Sequence, residues 1–569
     1  MPRHWRPLTV AVLCQLIASG AAWAQITGGA IVGVVTDASG GVLPGVTVTV
    51  TNIATNQATV RRWIGWIALG WIWLCAGDRA HLQVTDPPDP STRPNVLFIA
   101  VDDMNTELGC YGSRVALTPN IDRLAKRGLL FRRAYTQQAV CNPSRASLMT
   151  GMRPDTLRVW DLRTHFRETH PEVVTLPQLF KERGYFTQGI GKIFHNWGSK
   201  PSIAMDPPSW SVPQTYHFAP HFSDWYIPGA PQGTPAKTQG EATQRVDVPD
   251  ETYFDGRIAQ AAIQSLRQHK DERFFLAVGF WKPHLPFNAP KKYWDLYDPD
   301  AIPAPAPPEP PIDVPKMALH DFRELRGYTG MPKDGPPTPA QVRHLRHGYY
   351  AAISYVDAQI GKVISELDAQ GLSDRTIIVL WSDHGFHIGE HGLWAKTSNF
   401  ERDARVPLII STPDRRSASR QTNAVVESID IYPTLADLAN LPRPEALEGV
   451  SLRPLLDDPN QVVRRAALTQ FPRPPYYKER PDVMGYSIRT SRYRYTEWRD
   501  FDSREIVARE LYDHDNDPIE SINLGDDPRF RSQVSDLARL LERTIRGEAR
   551  ARGADDDRAG PRSGRASVR

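Results

Sequence analysis

Asn95-Val96-Leu97-Phe98-Ile99-Ala100-Val101-Asp102-Asp103 is an unbroken apolar run that opens after Pro94 and closes on two carboxylates. A strand with no polar alternation suits the middle of a parallel sheet covered on both faces. The pattern returns downstream with helices in between. Residues 175–190 read as helix then strand, with Gly184 at the helix C-cap. Residues 257–280 repeat it and end in Phe274-Phe275-Leu276-Ala277-Val278-Gly279-Phe280. A further helix carries Tyr349, Ile353, Val356, Ile360, Val363, Ile364 and Leu367 on one face, stops at Gly371 and feeds the strand at 376–381. The expectation is an α/β fold: a large mixed, mostly parallel sheet sandwiched by helices. Near residue 455 short strands (464–470, 486–498) and a helix after Phe530 predict a smaller C-terminal α+β subdomain.

Two Pro-rich stretches interrupt this order, 199–250 and 299–340, the second with seven Pro between Pro303 and Pro315. Loops of that length are usually functional, and both are expected to lie over the active site. The composition agrees with a large globular chain: 569 residues, 40% hydrophobic, 23% charged. The formal net charge of +3 carries no footprint of nucleic-acid binding, so nucleic acid is not an expected partner. Cys14, Cys75, Cys110 and Cys141 are too few for a disulfide framework.

The N-terminus points out of the cytoplasm. Arg3 and Arg6 precede an apolar run over 8–22, and Ala22-Trp23-Ala24 gives the small-residue end of a secretory signal, so residues 1–24 read as a signal peptide cut after Ala24. Residues 25–60 alternate β-branched residues around Gly-Gly and Pro-Gly turns, predict strand, turn and strand, and resemble part of a carboxypeptidase-regulatory-like β-sandwich. A second basic-then-apolar segment with linker covers 61–92, its apolar part shorter than the roughly 20 residues that span a bilayer. The protein is expected to be exported, periplasmic or extracellular, touching membrane only through an uncleaved N-terminal segment.

Asp102-Asp103 and Asp383-His384 each follow a strong strand. In open α/β sheets ligands bind beyond the carboxyl ends of strands, so the two pairs can meet in one crevice. Carboxylates delivered by loops suit a hard divalent cation, Ca2+ or Mg2+; the alternative is an ordinary Asx turn or helix cap after each strand. Cys141-Asn142-Pro143-Ser144-Arg145 reads as a helix start, with Asn142 as cap, Pro143 at the first helical position and Cys141 just ahead of the positive helix end, where an anion meets free N–H groups. A buried structural Cys, or a disulfide to Cys110, is the alternative.

Cys141-x-Pro143-Ser144-Arg145 followed by Leu148-x-Thr150-Gly151 resembles the signature of the type I sulfatases of the alkaline phosphatase superfamily. The resemblance runs over about 93–524 and is strongest toward the iduronate-2-sulfatase branch, through Gly191-Lys192-Ile193-Phe194-His195, Trp281-Lys282-Pro283-His284-Leu285-Pro286-Phe287, and Ser382-Asp383-His384-Gly385 through Gly389-Glu390-His391-Gly392-Leu393-Trp394-Ala395-Lys396. It implies an alkaline phosphatase-like fold and a catalytic domain at 93–455; the strand and helix pattern places the smaller C-terminal subdomain at 456–545, and residues 546–569, with almost nothing to bury, read as a disordered tail. The resemblance implies that Cys141 is converted by a maturation enzyme to Cα-formylglycine, and that the substrate is a sulfated carbohydrate.

The resemblance also assigns roles. Asp102, Asp103 and Asp383 would ligate one Ca2+ or Mg2+ with the group made from Cys141, and His384 would be the remaining ligand or a close neighbour. Arg145 would hold the formylglycine hydroxyl, Lys192 and Lys396 the sulfate oxygens, His195 the second hydroxyl, and His284 would protonate the leaving alcohol. His387, His391 and Asp357 are assigned to structure. Two other functions are compatible with the same sequence: a phosphonate monoester or phosphodiester hydrolase with the same Cys motif, and an envelope carbohydrate-binding protein built on residues 26–58.

Overall fold

The computed structural model describes residues 93–195, 203, 205–217 and 240–548, together with the backbone of four short strands upstream. The chain divides into two units, Met1–Thr85 and Asp86–Arg569. In the first, Ala24–Thr27 pairs with Ala30–Gly33 and Val48–Asn52 with Gln57–Arg61, both antiparallel, where the sequence predicts strand, turn and strand. The apolar stretches read as export segments, and residues 549–569 of the tail, lie outside the described residues. No helix among the described residues is long and apolar enough to cross a membrane.

The second unit is built on an eight-stranded sheet. In chain order its strands are β1 (Asn95–Val101), β2 (Leu129–Tyr135), β3 (Phe186–Gly191), β4 (Phe274–Phe280), β5 (Thr376–Ser382), β6 (Arg405–Val406), β7 (Leu408–Ser411) and β8 (Arg420–Glu427). β5, β1, β4 and β3 lie side by side, all parallel. β7 is antiparallel to both β5 and β2, and β8 returns parallel to β2. Pro407 separates β6 from β7; lacking an N–H, it interrupts what would otherwise be one strand along β2.

The apolar run of β1 is buried along its whole length. Its side chains alternate between two cores: Leu97, Ile99 and Val101 enter one, Val96, Phe98 and Ala100 the other. Helices α1 (Pro119–Arg127), α3 (Phe254–Gln268) and α4 (Pro339–Ala369) cover the first face. Helix α2 (Cys141–Thr150) covers the second. α4 starts ten residues before Tyr349, because Thr338 and Gln341 form a reciprocal capping box ahead of its apolar face. Asp357, on α4, accepts from Asn120 N and Ile121 N and so holds the start of α1, a structural task as expected.

The predicted C-terminal strands are an antiparallel sheet of β9 (Ala467–Arg473), β10 (Val483–Arg489), β11 (Tyr493–Asp500) and β12 (Ile506–Asp513). Leu537 and Leu541 of α5 (Arg531–Ile545) pack on it with Leu468, Ile488 and Tyr495. The Pro-rich stretch 199–250, expected to be loop, is not loop throughout. Thr243–Val246 forms a strand parallel to Phe287–Pro290, a pairing that no local pattern signals because its partner lies about 40 residues away. Residues 218–239 of that stretch are outside the described residues.

Candidate active site

Four adjacent parallel strands deliver the candidate residues from their carboxyl ends. β1 runs into Asp102-Asp103, β5 into Asp383-His384, β3 into Lys192, and β4 into the turn that carries His284. Asp102 N donates to Phe280 O at 3.1 Å and Asp383 N to Val101 O at 3.3 Å, so the ladder continues one residue past the strands and aligns these side chains. Asp103 takes a left-handed φ of 62°, a strained conformation for a non-glycine residue. It is fixed there by its own N–H donating to Asp383 Oδ1 at 3.2 Å and by Tyr349 OH donating to its carbonyl at 2.9 Å. At Gly191, with φ +82°, a Cβ would overlap the Gly279 carbonyl; glycine is what lets β3 turn Lys192 into the crevice.

α2 begins at Cys141 itself, with extended Val140 as its N-cap. Asn142 is therefore not the cap and Pro143 is the third helical residue, a place where its missing N–H still costs no helical bond. The Asn142 amide instead donates to Asp161 O and Thr164 O at 2.7 and 2.8 Å. Cys141 Sγ lies 3.4 Å from His384 Nε2, 3.4 Å from Lys192 Nζ and 3.6 Å from Asp102 Oδ1. Cys110 and Cys141 are both free thiols, so the disulfide alternative fails. Burial and the Asp102 charge push the Cys141 pKa well above its ordinary value despite Lys192 and Lys396. An unmodified thiol held in that state is a poor nucleophile.

Charged groups are interleaved around the sulfur. Arg145, one turn along α2 and fully buried, donates Nε to Asp383 Oδ2 at 2.7 Å, Nη1 to Lys192 O and Ile193 O at 2.5 and 3.1 Å, and Nη2 to Asp102 Oδ1 at 3.3 Å. Lys192 Nζ reaches Asp102 Oδ2 at 2.5 Å and sits 5.0 Å over the Trp281 ring. Lys396 Nζ lies 2.9 Å from Asp103 Oδ2 and 2.8 Å from Glu324 Oε2. His284 donates Nδ1–H to Leu285 O at 2.6 Å, leaving Nε2 to face Glu324 Oε1 at 3.0 Å and Asp103 Oδ2 at 3.8 Å. His195 is half-buried in the field of Lys192, Asp102 and Arg145; desolvation first and Lys192 second hold its pKa well below the usual range. Burial opposes the charge on Asp102, yet Lys192, His284 and Arg145 hold it well below the ordinary carboxylate range, while burial raises Asp103.

The donor set could hold a metal ion. Ligand atoms of Asp102, Cys141, Asp383 and His384 lie within 4.8 Å of one another, as do those of Asp102, Asp103, Cys141 and His284. His384 donates Nδ1–H to Gly385 O at 2.9 Å, which fixes its tautomer and presents the Nε2 lone pair to the cluster. Three buried carboxylates and the partly buried Glu324 face three fixed cations, Arg145, Lys192 and Lys396, an excess of one negative charge that a bound cation would offset.

All ten residues singled out in the sequence thus converge on one crevice. His387 and His391 stay outside it, bonded to Asp403 and to Ile519 O. Two residues had no sequence signal: Glu324, inside a Pro-rich stretch without a motif, and Tyr476, from the loop between β9 and β10, which feels the charges of Glu324 and Lys396.

The family profile described as Sulfatase matches residues 94–441. The chain belongs to the sulfatase family. A second profile, N-sulphoglucosamine sulphohydrolase, C-terminal, matches residues 389–547. Human iduronate 2-sulfatase is 35% identical over 544 residues, covering 84% of this chain and 98% of that protein. The mouse enzyme of the same name is 36% identical over 78% of this chain and 93% of its own length. The phosphonate monoester hydrolase of Agrobacterium radiobacter superposes with a TM-score of 0.67 at 25% identity, over 80% of this chain and 96% of that one. As a sulfatase the protein is a sulfuric ester hydrolase with an alkaline phosphatase-like fold, and its substrate is a sulfate ester.

Proposed function

We propose that this sulfatase removes sulfate from a sulfated carbohydrate, using Cα-formylglycine made from Cys141 and one Ca2+ or Mg2+. The observation that carries the reading is the position of Cys141 Sγ, 3.4 Å from both Lys192 Nζ and His384 Nε2 and 3.6 Å from Asp102. The likeness to iduronate 2-sulfatase supports a sugar as the alcohol half. Formylglycine at position 141, as a hydrated aldehyde, would supply a nucleophilic hydroxyl and a second hydroxyl able to release the captured sulfate without attack by water. Asp102, Asp103, Asp383, His384 and the residue at 141 would hold a divalent ion, which would supply charge compensation there.

The remaining work falls to side chains. Arg145 holds the nucleophile's hydroxyl against the carboxylates. Lys192 and Lys396 neutralise sulfate oxygens as charge moves onto them. His195, kept neutral by its surroundings, accepts the proton of the second hydroxyl. His284 has its Nδ1–H committed to Leu285 O, so Nε2 is the atom that delivers a proton to the leaving oxygen. Maturation requires a formylglycine-generating enzyme, and the basic-then-apolar N-terminal segments support export to the periplasm or beyond.

Intact mass spectrometry of the peptide containing Cys141 tests the modification: formylglycine is about 18 Da lighter than cysteine. The likeness to a phosphonate monoester hydrolase favours a second reading, with phosphorus in place of sulfur. Turnover of an aryl sulfate against the matching aryl phosphodiester decides; a strong preference for phosphorus would remove the sulfate reading.

A further inference from the structure

Glu324 stands where a bound anion would stand. It comes from the short helix Arg323–Arg326 in the second Pro-rich stretch, with its side chain 14% exposed. Oε1 lies 3.0 Å from His284 Nε2 and 2.9 Å from Lys396 Nζ, and Oε2 lies 2.8 Å from the same ammonium. A carboxylate straddling one ammonium and one imidazole reproduces the charge and spacing of two oxygens of a sulfate ester. Burial opposes its ionisation, but Lys396 and His284 hold its pKa well below the usual range, so it is an anion.

The backbone behind Glu324 is tethered to the C-terminal subdomain. Arg473 donates Nε to Met317 O at 2.5 Å and Nη2 to Ala318 O at 3.1 Å, and the Arg323 guanidinium lies 5.9 Å over the Tyr476 ring. An incoming anion can therefore turn the carboxylate out of its seat while the segment keeps that charge at the rim. Substrate and product differ in what this charge does to them. A sulfate monoester carries one negative charge, whereas inorganic sulfate is a dianion at neutral pH, and repulsion scales with the product of the charges.

We infer that Glu324 is a specificity-determining residue: it occupies the anion seat between Lys396 and His284 in the substrate-free enzyme and biases the occupied site toward monoanionic esters and against dianions, inorganic sulfate included. The inference rests on the proposed roles of Lys396 and His284. Its consequence is that hydrolysis, by adding a charge to the bound anion, weakens the hold on product.

The test compares parent and Glu324→Gln as full-length, metal-loaded proteins. Binding of inorganic sulfate is read by titration calorimetry, and KM is read with p-nitrophenyl sulfate. Glu324→Gln is expected to tighten sulfate by about tenfold and to lower KM by less, since the ester carries half the charge. Glu324→Asp, which keeps the charge, is expected to leave sulfate affinity near the parent's. Unchanged or weaker sulfate binding in Glu324→Gln, a KM that falls as far as the sulfate dissociation constant, or tightening in Glu324→Asp equal to that in Glu324→Gln would each overturn the inference. Lys396→Ala separates the two levels: if it leaves sulfate affinity intact, the proposed role of Lys396 fails; if it weakens sulfate while Glu324→Gln has no effect, only the inference about Glu324 fails.

Discussion

Arg145 and Asp383, 238 residues apart in the chain, form an ion pair with no solvent exposure on either side chain, Nε to Oδ2 at 2.7 Å. The pair joins the start of α2, which carries Cys141, to the end of β5, which carries Asp383 and His384. Ser144 Oγ donates to the Asp383 carbonyl in the same joint. The crevice is thus held by charged groups that also face its chemistry.

Replacing Arg145 by Ala leaves Asp383 and Asp102 buried without this partner. The expected cost is about 3–5 kcal/mol of stability, the range for breaking a buried pair from one side. Urea unfolding checks it, and loss of turnover should accompany it. Arg145→Lys should fail to rescue, because one ammonium cannot serve two carboxylates and the Lys192 and Ile193 carbonyls together.

Chelation should abolish turnover and lower the melting temperature, since Asp102, Asp103 and Asp383 then face one another with no ion between them. A ligand present at a hundred times its Kd stabilises by about 2.7 kcal/mol. Added Ca2+ or Mg2+ should restore both properties in the parent but neither in Asp383→Ala. A melting curve unaffected by chelator would count against the metal assignment.

Cys141→Ala should remove turnover while leaving the fold intact, because Cys141 lies at the start of α2 and its sulfur contributes little to either apolar core. Circular dichroism and an aryl sulfate assay check the two halves. Full activity in this variant would sink the proposed nucleophile.

Glu510 offers a pH test away from the crevice. It is buried, accepts from Trp498 Nε1 and Tyr512 OH at 2.7 Å each, and burial raises its pKa from 4.5 to about 7. The folded state therefore binds this proton more tightly than the unfolded chain, so the parent loses stability as pH rises from about 4.5 to 7. Glu510→Gln lacks that slope. At pH 8 it should be more stable than at pH 4.5 relative to the parent, by a few kcal/mol at most, roughly 1.4 kcal/mol for each tenfold difference in proton affinity between the folded and unfolded chain. Parallel denaturation curves at the two pH values, with no change in the difference, would refute the assignment.

Much of this protein is local information. The run at 95–101 fixed a covered central strand because every side chain in it but the first is apolar, whichever face it points to. The patterns at 175–190 and 349–381 fixed helix and strand for the same reason: a buried face leaves a repeat in the chain. The short motifs around Cys141, Lys192, His284 and Lys396 named the candidate groups through their resemblance to the type I sulfatases, since taken singly each reads as an ordinary turn, loop or helix-start residue.

Tertiary structure decided what no such repeat encodes. Which strands are neighbours, and so that β3, β4, β1 and β5 deliver their turns to one crevice, follows from pairing across up to 281 residues, from Asn95 to Thr376. α2 starts two residues ahead of its Pro, and the Asn142 side chain, free of a capping role, bonds to Asp161 and Thr164 instead. Glu324 enters the site through its contacts with His284 and Lys396, in a segment that Arg473 ties at Met317 and Ala318. Burial periodicity is written along the chain, whereas charge partners are chosen by whichever distant groups the packed cores leave facing each other without water.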